Sequence, residues 1–180
     1  YLYREDDLDG NLYVSYYRDG GWTKIKKLGE NINTDYWESH AFITSNGKQL
    51  YFTSNRKGGY GDLDIYVSER RANGSWGEAK NLGAPVNTEW REDTPFLTKE
   101  GNKLFFSSDG HRNMGGLDLF VSEKHASGWN NPENLGYPIN TTDDDRFFVP
   151  LEDGSQGYFA RYHSNPPGAM DIFLYKIDKL

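Results

Sequence analysis

The sequence predicts an all-β fold, a β-propeller built of four-stranded antiparallel blades, and three observations support this prediction. An internal repeat of 53 to 54 residues runs through the 180-residue chain. Within each repeat, short runs rich in aromatic and β-branched residues alternate with turn sequences, and no helical periodicity separates them. The 20 glycines, 7 prolines and mean hydropathy of -0.85 suit short strands and tight turns better than long helices.

Three tryptophans mark the repeat. Each opens a W-x5-L-G segment followed by an I/V-N-T sequence, and they are Trp22, Trp76 and Trp129. A glycine follows each tryptophan after 25 residues, at Gly47, Gly101 and Gly154. An aspartate follows each glycine after 17 further residues, at Asp64, Asp118 and Asp171. Such regular spacing indicates one supersecondary unit per repeat.

One full repeat reads as four strands in chain order. Strand A is predicted at 41–44, strand B at 49–54, strand C at 64–70 and strand D at 76–82. The A-to-B turn is Ser-Asn-Gly-Lys, the B-to-C loop is rich in glycine, and an Asn-Gly pair lies between C and D. A single blade cannot bury both of its faces, so aromatic residues are predicted to pack between neighbouring blades. These are Tyr51, Phe52, Tyr66 and Trp76 in one blade and Phe105, Phe106, Phe120 and Trp129 in the next.

The repeat divides the chain into one propeller segment, 1–180. It contains a partial blade at 1–28, blades at 39–83 and 93–136, and a partial blade at 146–177. About three and a half blades are therefore present, whereas propellers typically have at least four. The sequence favours a part of a larger propeller, and a self-contained four-bladed ring is the alternative. The last blade is expected to be distorted, since Gly157 stands where Leu50 and Leu104 stand in the others.

Composition excludes several classes of function. The net charge of -7, with acidic residues scattered along the chain, argues against binding to nucleic acid or to an anionic membrane surface. The absence of cysteine excludes disulfides and thiolate metal sites. No stretch of 18 apolar residues occurs, so direct membrane insertion is not expected.

The sequence from Gly47 to Arg56, with Asp-Ile-Tyr-Val-Ser at 64–68, resembles the WD-like propeller repeat of the TolB family. The pattern recurs at 101–112 with 118–122, and more loosely at 154–161 with 171–175. The W-x5-L-G and I/V-N-T elements resemble the variant in periplasmic proteins that also carry helical repeats and an OmpA-like peptidoglycan-binding domain. The resemblance implies a periplasmic, outer-membrane-associated scaffold, in some members part of secretion machinery. It implies a protein or cell-envelope partner, including a peptidoglycan-associated complex reached through a flanking domain, and no cofactor.

Residues that recur with the repeat are predicted to serve the scaffold. Asp64, Asp118 and Asp171 are predicted to accept backbone N–H bonds and fix the B-to-C loop. Trp22, Trp76 and Trp129 are predicted to pack in the core. Glu38, Glu92 and Asp145 precede strand A in each blade and are interpreted as fixing loops or lining the pore, not as a catalytic set.

No catalytic, metal or cofactor site is predicted. The acidic run at 143–145 and the pair Asp7 and Asp9 lack the spacing of a calcium loop, so solvated loops are favoured over a calcium site. The four histidines show no metal-ligand spacing and are predicted to be exposed loop residues; they are His40, His111, His125 and His163. Nucleophile-elbow, phosphate-loop and zinc-protease motifs are absent.

The D-to-A and B-to-C loops are expected to emerge on one face of a propeller and to form a partner-binding rim. The candidate rim residues are Trp37, Arg56, Tyr60, Trp90, Arg91, His111, Arg112, Met114, Asp144 and Arg146. Aromatic and arginine side chains are the usual anchors of protein interfaces. The alternative that Trp37 and Trp90 pack back against their own blade stays open.

Three functions fit these observations. The favoured one is a non-enzymatic periplasmic scaffold that binds its partner through the loop-bearing face. The second is a carbohydrate-active or peptidase-associated propeller with glycan or peptide binding in the central channel near Glu38, Glu92 and Asp145. The third is a spacer between other domains.

Overall fold

The computed structural model describes residues 10–151, 155–163 and 169–176. Across these ranges the chain forms sixteen short strands and no helix. None of these residues belongs to a helix long and apolar enough to cross a membrane. The strands group into four consecutive antiparallel units, so the prediction of an all-β fold is confirmed.

The first unit contains two small hairpin pairs. Strand β1 (Tyr13–Val14) pairs with β4 (Lys26–Lys27), and β2 (Tyr17–Arg18) pairs with β3 (Gly21–Trp22). The turn between β2 and β3 is Asp-Gly with both residues at positive φ, the conformation that a tight hairpin turn requires.

The second and third units are antiparallel meanders. The second consists of β5 (Glu38–Ile43), β6 (Gln49–Ser54), β7 (Asp64–Glu69) and β8 (Lys80–Asn81). The third consists of β9 (Glu92–Leu97), β10 (Lys103–Ser108), β11 (Asp118–His125), β12 (Gly128–Trp129) and β13 (Glu133–Asn134). The prediction for strand B matches β6, and β7 begins at the predicted residue. Strand A begins three residues before the predicted start, and the predicted strand D is reduced to the two residues of β8.

The fourth unit consists of β14 (Asp144–Pro150), β15 (Gln156–His163) and β16 (Ala169–Lys176). The expected distortion is absent from its hairpin, since β15 and β16 pair in register over all eight positions. Packing explains why glycine occupies position 157. A Cβ at this position would lie 2.6 Å from the Tyr175 ring, so Tyr175 fills the space that a leucine side chain fills in the other units.

Each core lies between two units. We call the face of a unit that packs on the preceding unit its upstream face and the opposite face its downstream face. Between the first and second units lie Leu12 and Ile32 against Leu50, Phe52 and Tyr66. Between the second and third lie Tyr51, Ile65 and Val86 against Leu97, Leu104, Phe106 and Phe120. Between the third and fourth lie Phe105 and Leu119 against Phe148 and Phe159. The predicted aromatic packing between neighbouring blades is therefore confirmed.

The three repeat tryptophans have different environments. Trp76 and Trp129 are partly buried and pack against the cores on the upstream faces of their units. Trp22 is 74% exposed and contacts Tyr17 edge-on, so the prediction of core packing is wrong for this residue. The repeat explains the difference, because the upstream face of the first unit has no preceding unit among the described residues.

A buried asparagine from each I/V-N-T sequence ties the loop before strand A to the preceding unit's third strand. Asn87 accepts a hydrogen bond from Ile65 N–H at 3.0 Å and donates one to Ile65 C=O at 2.9 Å. Asn140 makes the same pair of bonds with Leu119, both at 2.8 Å. Asn33 bonds both backbone groups of Leu12. Each asparagine amide thus makes the pair of backbone hydrogen bonds that a neighbouring strand would make, at a place where regular strand pairing ends.

Replacing Asn87 with alanine should destabilise the protein by about 1 to 3 kcal/mol, because the buried N–H of Ile65 loses its acceptor. The Ile65 C=O loses one of two donors and keeps the Leu82 N–H. Urea unfolding followed by tryptophan fluorescence measures the change. Asn73→Ala is the control, since Asn73 is exposed and bonds only within its own turn. Equal stability of the two variants would contradict the role given to Asn87.

Candidate functional site

The two kinds of loop that the sequence assigns to one rim are hydrogen bonded to each other. The N–H groups of Asp62 and Leu63, in the B-to-C loop of the second unit, donate to Trp90 C=O at 2.9 and 3.3 Å. In the opposite direction, Glu92 N–H donates to Leu63 C=O at 2.7 Å, and Asp145 N–H donates to Leu117 C=O at 2.6 Å between the third and fourth units. Both loop types therefore meet at the end of the units where the first strands begin. The first strand of the third unit, β9, contacts both β5 and β14, and these three strands form what we call the inner edge.

The repeated acidic residues before the first strands are buried and fix loops. Glu38, Glu92 and Asp145 have no exposed surface. Each accepts a hydrogen bond from the backbone N–H of the threonine four residues earlier, at 2.8, 2.7 and 2.7 Å. Burial raises the pKa of Glu92 and of Asp145. Of the two interpretations, loop fixing is correct and pore lining is wrong for these carboxylates.

Asp64 and Asp118 fix the B-to-C loops as predicted. Their Oδ2 atoms accept backbone N–H bonds from Tyr60 and Met114, both at 2.7 Å. Burial raises the pKa of Asp64, against the effect of these hydrogen bonds. The third member of the set, Asp171, is exposed.

Arg56 and His111, both predicted rim residues, lie inside their units. Arg56 stacks over the rings of Phe52 and Tyr66 and donates to Ile32 C=O at 2.6 Å. The His111 ring contacts Phe106 and Phe120, and its Nε2 lies 2.9 Å from Val86 C=O.

Arg161 occupies the corresponding place in the fourth unit. It stacks over Phe159 and Phe173 and donates to Ile139 C=O at 3.0 Å. In successive units, side chains from three different repeat positions thus contact the backbone carbonyl of the equivalent loop residue. In the described structure this contact serves the scaffold.

A β-bulge interrupts the first strand of the second, third and fourth units. In β5 the pairing register shifts between Ser39 and Phe42, and in β14 it shifts between Arg146 and Val149. In β9 the shift lies opposite residues 105–107 of the partner strand β10. The bulge residues are His40, Thr94 and Phe147, and their φ values are 41°, 52° and 57°. Non-glycine residues rarely adopt this left-handed conformation, and it costs on the order of 1 kcal/mol or more for each residue.

The bulges bring charged side chains of three units together. His40 Nδ1 lies 2.6 Å from Asp93 Oδ1, and Arg146 Nη1 lies 3.6 Å from Asp93 Oδ2. Burial by itself raises the pKa of Asp93, but the hydrogen bond and charge of His40, the Thr94 N–H and the Arg146 charge together lower it below its ordinary value. The prediction that His40 is an exposed loop residue is wrong, because the early start of β5 places it within a strand.

A cavity of about 240 Å³ opens at this cluster. Its polar lining comes from Ser39, His40, Arg91, Asp93 and Arg146. Its apolar lining comes from Trp37, Leu63 and Leu117. This cavity is the candidate functional site.

The residues at the cavity differ from unit to unit, whereas the buried acidic residue beside them is always present. Ser39, Asp93 and Arg146 occupy one repeat position, and Trp37, Arg91 and Asp144 occupy another. Most scaffold residues recur with the period, although Arg56, His111 and Arg161 do not. Variation directly beside an invariant buried acid therefore marks these positions as candidates for a site. Sequence reasoning did not single out Asp93, although its place directly after the repeated acid carries this signal.

The other candidate rim residues fall into two groups. Tyr60, Trp90 and Met114 are exposed, at 58%, 53% and 46%, and Arg112 is exposed beside them. Arg91 is exposed but holds Asp109 through Nε and Nη2, at 2.8 and 2.6 Å.

Trp37 and Asp144 are partly buried and contact the scaffold. The Trp37 ring covers Gly10, where a Cβ would approach it to 2.7 Å. Asp144 accepts the Leu117 N–H at 2.9 Å. Trp37 therefore packs back against the structure, while Trp90 does not.

The other histidines and acidic residues considered in the sequence add no binding site within the described residues. His125 is exposed at the end of β11. The side chain of His163, and the residues Asp7 and Asp9, lie outside the described residues. Within the described part of the chain, no group of three or more histidine, aspartate or glutamate side chains is arranged to hold a metal ion.

Comparisons with known proteins find a similar fold among solved structures. No protein-family model and no curated protein sequence matches the chain. Among solved structures, a puromycin-hydrolysing peptidase from Mycobacterium tuberculosis is similar with a TM-score of 0.54 and 11% identity, over 98% of this chain. TolB from Acinetobacter baumannii is similar with a TM-score of 0.45 and 16% identity, over 85% of this chain. The chain spans 31% and 38% of the lengths of these two proteins.

The lowered pKa of Asp93 predicts a stability difference that depends on pH. A carboxyl group with a folded-state pKa below its unfolded value stabilises the fold above about pH 4 and loses that effect as the pH falls further. Asp93→Asn should therefore cost about 2 kcal/mol at pH 7, and the difference from wild type should shrink as the pH is lowered from about 5 towards 2.

Urea unfolding at a series of pH values measures this difference. Glu123→Gln is the matched control, since the exposed Lys103 salt bridge also lowers the Glu123 pKa but lies on the surface, where little stabilisation is expected. A pH-independent difference for Asp93→Asn would contradict the stabilising role of the ionised carboxylate.

Proposed function

We propose that this chain is part of a non-enzymatic periplasmic β-propeller scaffold that binds a protein or cell-envelope partner through its loop-bearing face. The observation that carries the proposal is the contrast at that face between repeated, buried scaffold residues and variable, exposed ones. Tyr60, Trp90 and Met114 present large side chains to solvent from loops that hydrogen bonds hold in place. Rigidly held aromatic anchors suit protein recognition, because little conformational entropy is lost on binding.

The outer faces of the first and fourth units support the view that the propeller continues beyond them. Trp22, on the upstream face of the first unit, is 74% exposed. Ile172 on the downstream face of the fourth unit is 77% exposed, whereas Ile65, at the same repeat position, is fully buried by the next unit. Tyr158 is likewise exposed where Tyr51 is buried. Among the described strands, none of the fourth unit contacts the first. A further unit on each of these faces would bury them as the internal faces are buried.

A binding role is favoured over catalysis by the state of the acidic residues. Glu38, Glu92 and Asp145, the carboxylates that a channel enzyme would use, are buried and accept hydrogen bonds from the threonines of their own loops. A glycosidase needs two carboxyl groups that reach the substrate from opposite sides. The periplasmic location, the outer-membrane association and a role beside OmpA-like domains or in secretion machinery rest on the resemblance of the repeat sequence.

Removing the exposed anchors should weaken binding to the partner. The protein carrying Trp90→Ala and Arg112→Ala should retain at least tenfold less cross-linked partner from a periplasmic extract than wild type, because both side chains are exposed at the loop-bearing face. Quantitative mass spectrometry of the cross-linked material measures the loss. Lys103→Gln, on the exposed outer side of β10, is the control. Undiminished capture of the same partner by the double variant would contradict the proposal.

The larger propeller makes a separate prediction about stability. In the protein from its native source, Ile172→Asp should destabilise by about 3 kcal/mol, as Ile65→Asp should, since a charge would enter an apolar contact between units. If nothing covers the face, the change at this exposed position should lie within about 0.5 kcal/mol of zero. Thermal unfolding of the two variants beside wild type separates these outcomes.

A further inference from the structure

We propose that the cavity at the inner edge binds a carboxylate group joined to an apolar side chain, as at the carboxyl terminus of a peptide that ends in an aliphatic residue. The proposal rests on the proposed function, since the cavity lies at the loop-bearing end, and it names the chemistry that this end would recognise. It is argued from the charges, hydrogen bonds and walls of the cavity.

Arg146 supplies the first cationic group. Its Nη1 and Nη2 atoms lie 3.6 Å from Asp93 and 3.4 Å from Asp144, longer than the 2.7 to 2.9 Å of strong charge-assisted hydrogen bonds. The side chain is 22% exposed. The guanidinium therefore keeps donors that a ligand carboxylate can engage at shorter distance.

Arg91 supplies the second cationic group from the neighbouring unit. It binds Asp109 through Nε and Nη2, which orients the guanidinium and leaves Nη1 without a hydrogen bond to the described residues. Two guanidinium groups from neighbouring units can hold one carboxylate, and an arginine fork fits carboxylate geometry well.

Asp93 does not make the cavity a cation site. Its Oδ1 atom already lies 2.6 Å from His40 Nδ1 and accepts hydrogen bonds from Thr53 Oγ1 and Thr94 N–H at 3.1 and 2.8 Å. The residue is almost fully buried. His40 Nδ1 and the Arg146 guanidinium both lie against this carboxylate, so the hydrogen-bond donors left to meet a ligand are those of Arg146 and Arg91.

The walls and the volume limit the ligand to about one residue. Trp37, Leu63 and Leu117 form an apolar wall beside the two arginines. The volume of about 240 Å³ is below the range typical of drug-sized ligands. An aliphatic side chain against this wall would place an adjoining carboxylate near the guanidinium groups.

The experiment is an NMR titration of the ¹⁵N-labelled protein with N-acetyl-leucine, the neutral N-acetyl-leucinamide and the cationic leucinamide. N-acetyl-leucine should shift the amide signals of Ser39, His40, Arg91, Asp93 and Arg146 with a Kd in the millimolar range. N-acetyl-leucinamide should bind at least tenfold more weakly, and leucinamide should not bind.

Two variants assign the binding to the proposed groups. Arg146→Gln should abolish the shifts caused by N-acetyl-leucine, and the dispersion of its amide spectrum reports whether it folds. Arg91→Gln changes an exposed side chain and should weaken binding at least fivefold, which keeps the test decisive if Arg146→Gln does not fold. Arg18→Gln, on the outer hairpin of the first unit, is the control and should bind as wild type.

Equal binding of N-acetyl-leucine and N-acetyl-leucinamide would overturn the proposal, as would preference for leucinamide or the absence of shifts at these residues. The result of this titration can be distinguished from the test of the proposed function. If Trp90→Ala with Arg112→Ala abolishes partner capture while N-acetyl-leucine does not bind, the loop face binds a partner and only the carboxylate assignment fails.

Discussion

The structure depends on one constraint: no unit can bury its own apolar residues, so each must be covered by its neighbours. Ile65 and Phe52 lie on opposite faces of the second unit, and both are fully buried only because the third unit covers one and the first unit covers the other. Burial of such a side chain contributes roughly 1.5 to 3 kcal/mol, so a few contacts at each interface hold the stack together. Stability is then shared between neighbours along the chain, as in other repeat proteins.

Polar contacts complete what apolar packing leaves open at the loop ends. The Asn87 amide joins the loop before β9 to the third strand of the preceding unit, and Glu92 anchors the same loop from the opposite side. Because buried backbone groups must be paired, these contacts recur wherever the repeat recurs. The loops are thereby fixed without use of the side chains at their tips, and Trp90 and Met114 are left free to vary and to face solvent.

The sequence was sufficient to predict what the period fixes. Strand B, the start of strand C, the role of Asp64 and the packing of Trp76 all follow from residues that recur. It failed where a contact depends on a neighbour that differs. Trp22 has the same sequence context as Trp76 but no preceding unit to cover it among the described residues. Arg56, His111 and Arg161 perform one role from unequal sequence positions, so spacing alone could not equate them.

The inner edge could not be predicted for a further reason: its geometry comes from the bulges. A one-residue shift in register changes which side chains meet. Thr94 and Phe147 are residue types that rarely adopt positive φ, so propensity does not mark their bulges in the sequence. The surroundings hold them there. Asp93 binds His40, and Thr94 Oγ1 meets both Ser107 Oγ and the Phe147 N–H. The bulges at His40 and Thr94 are thus each held by the following unit, so the cavity is formed by the stacking of three units and by none alone. A change at Asp93 therefore alters unit packing and the candidate site together, whereas a change at Arg91 alters the candidate site with little effect on packing.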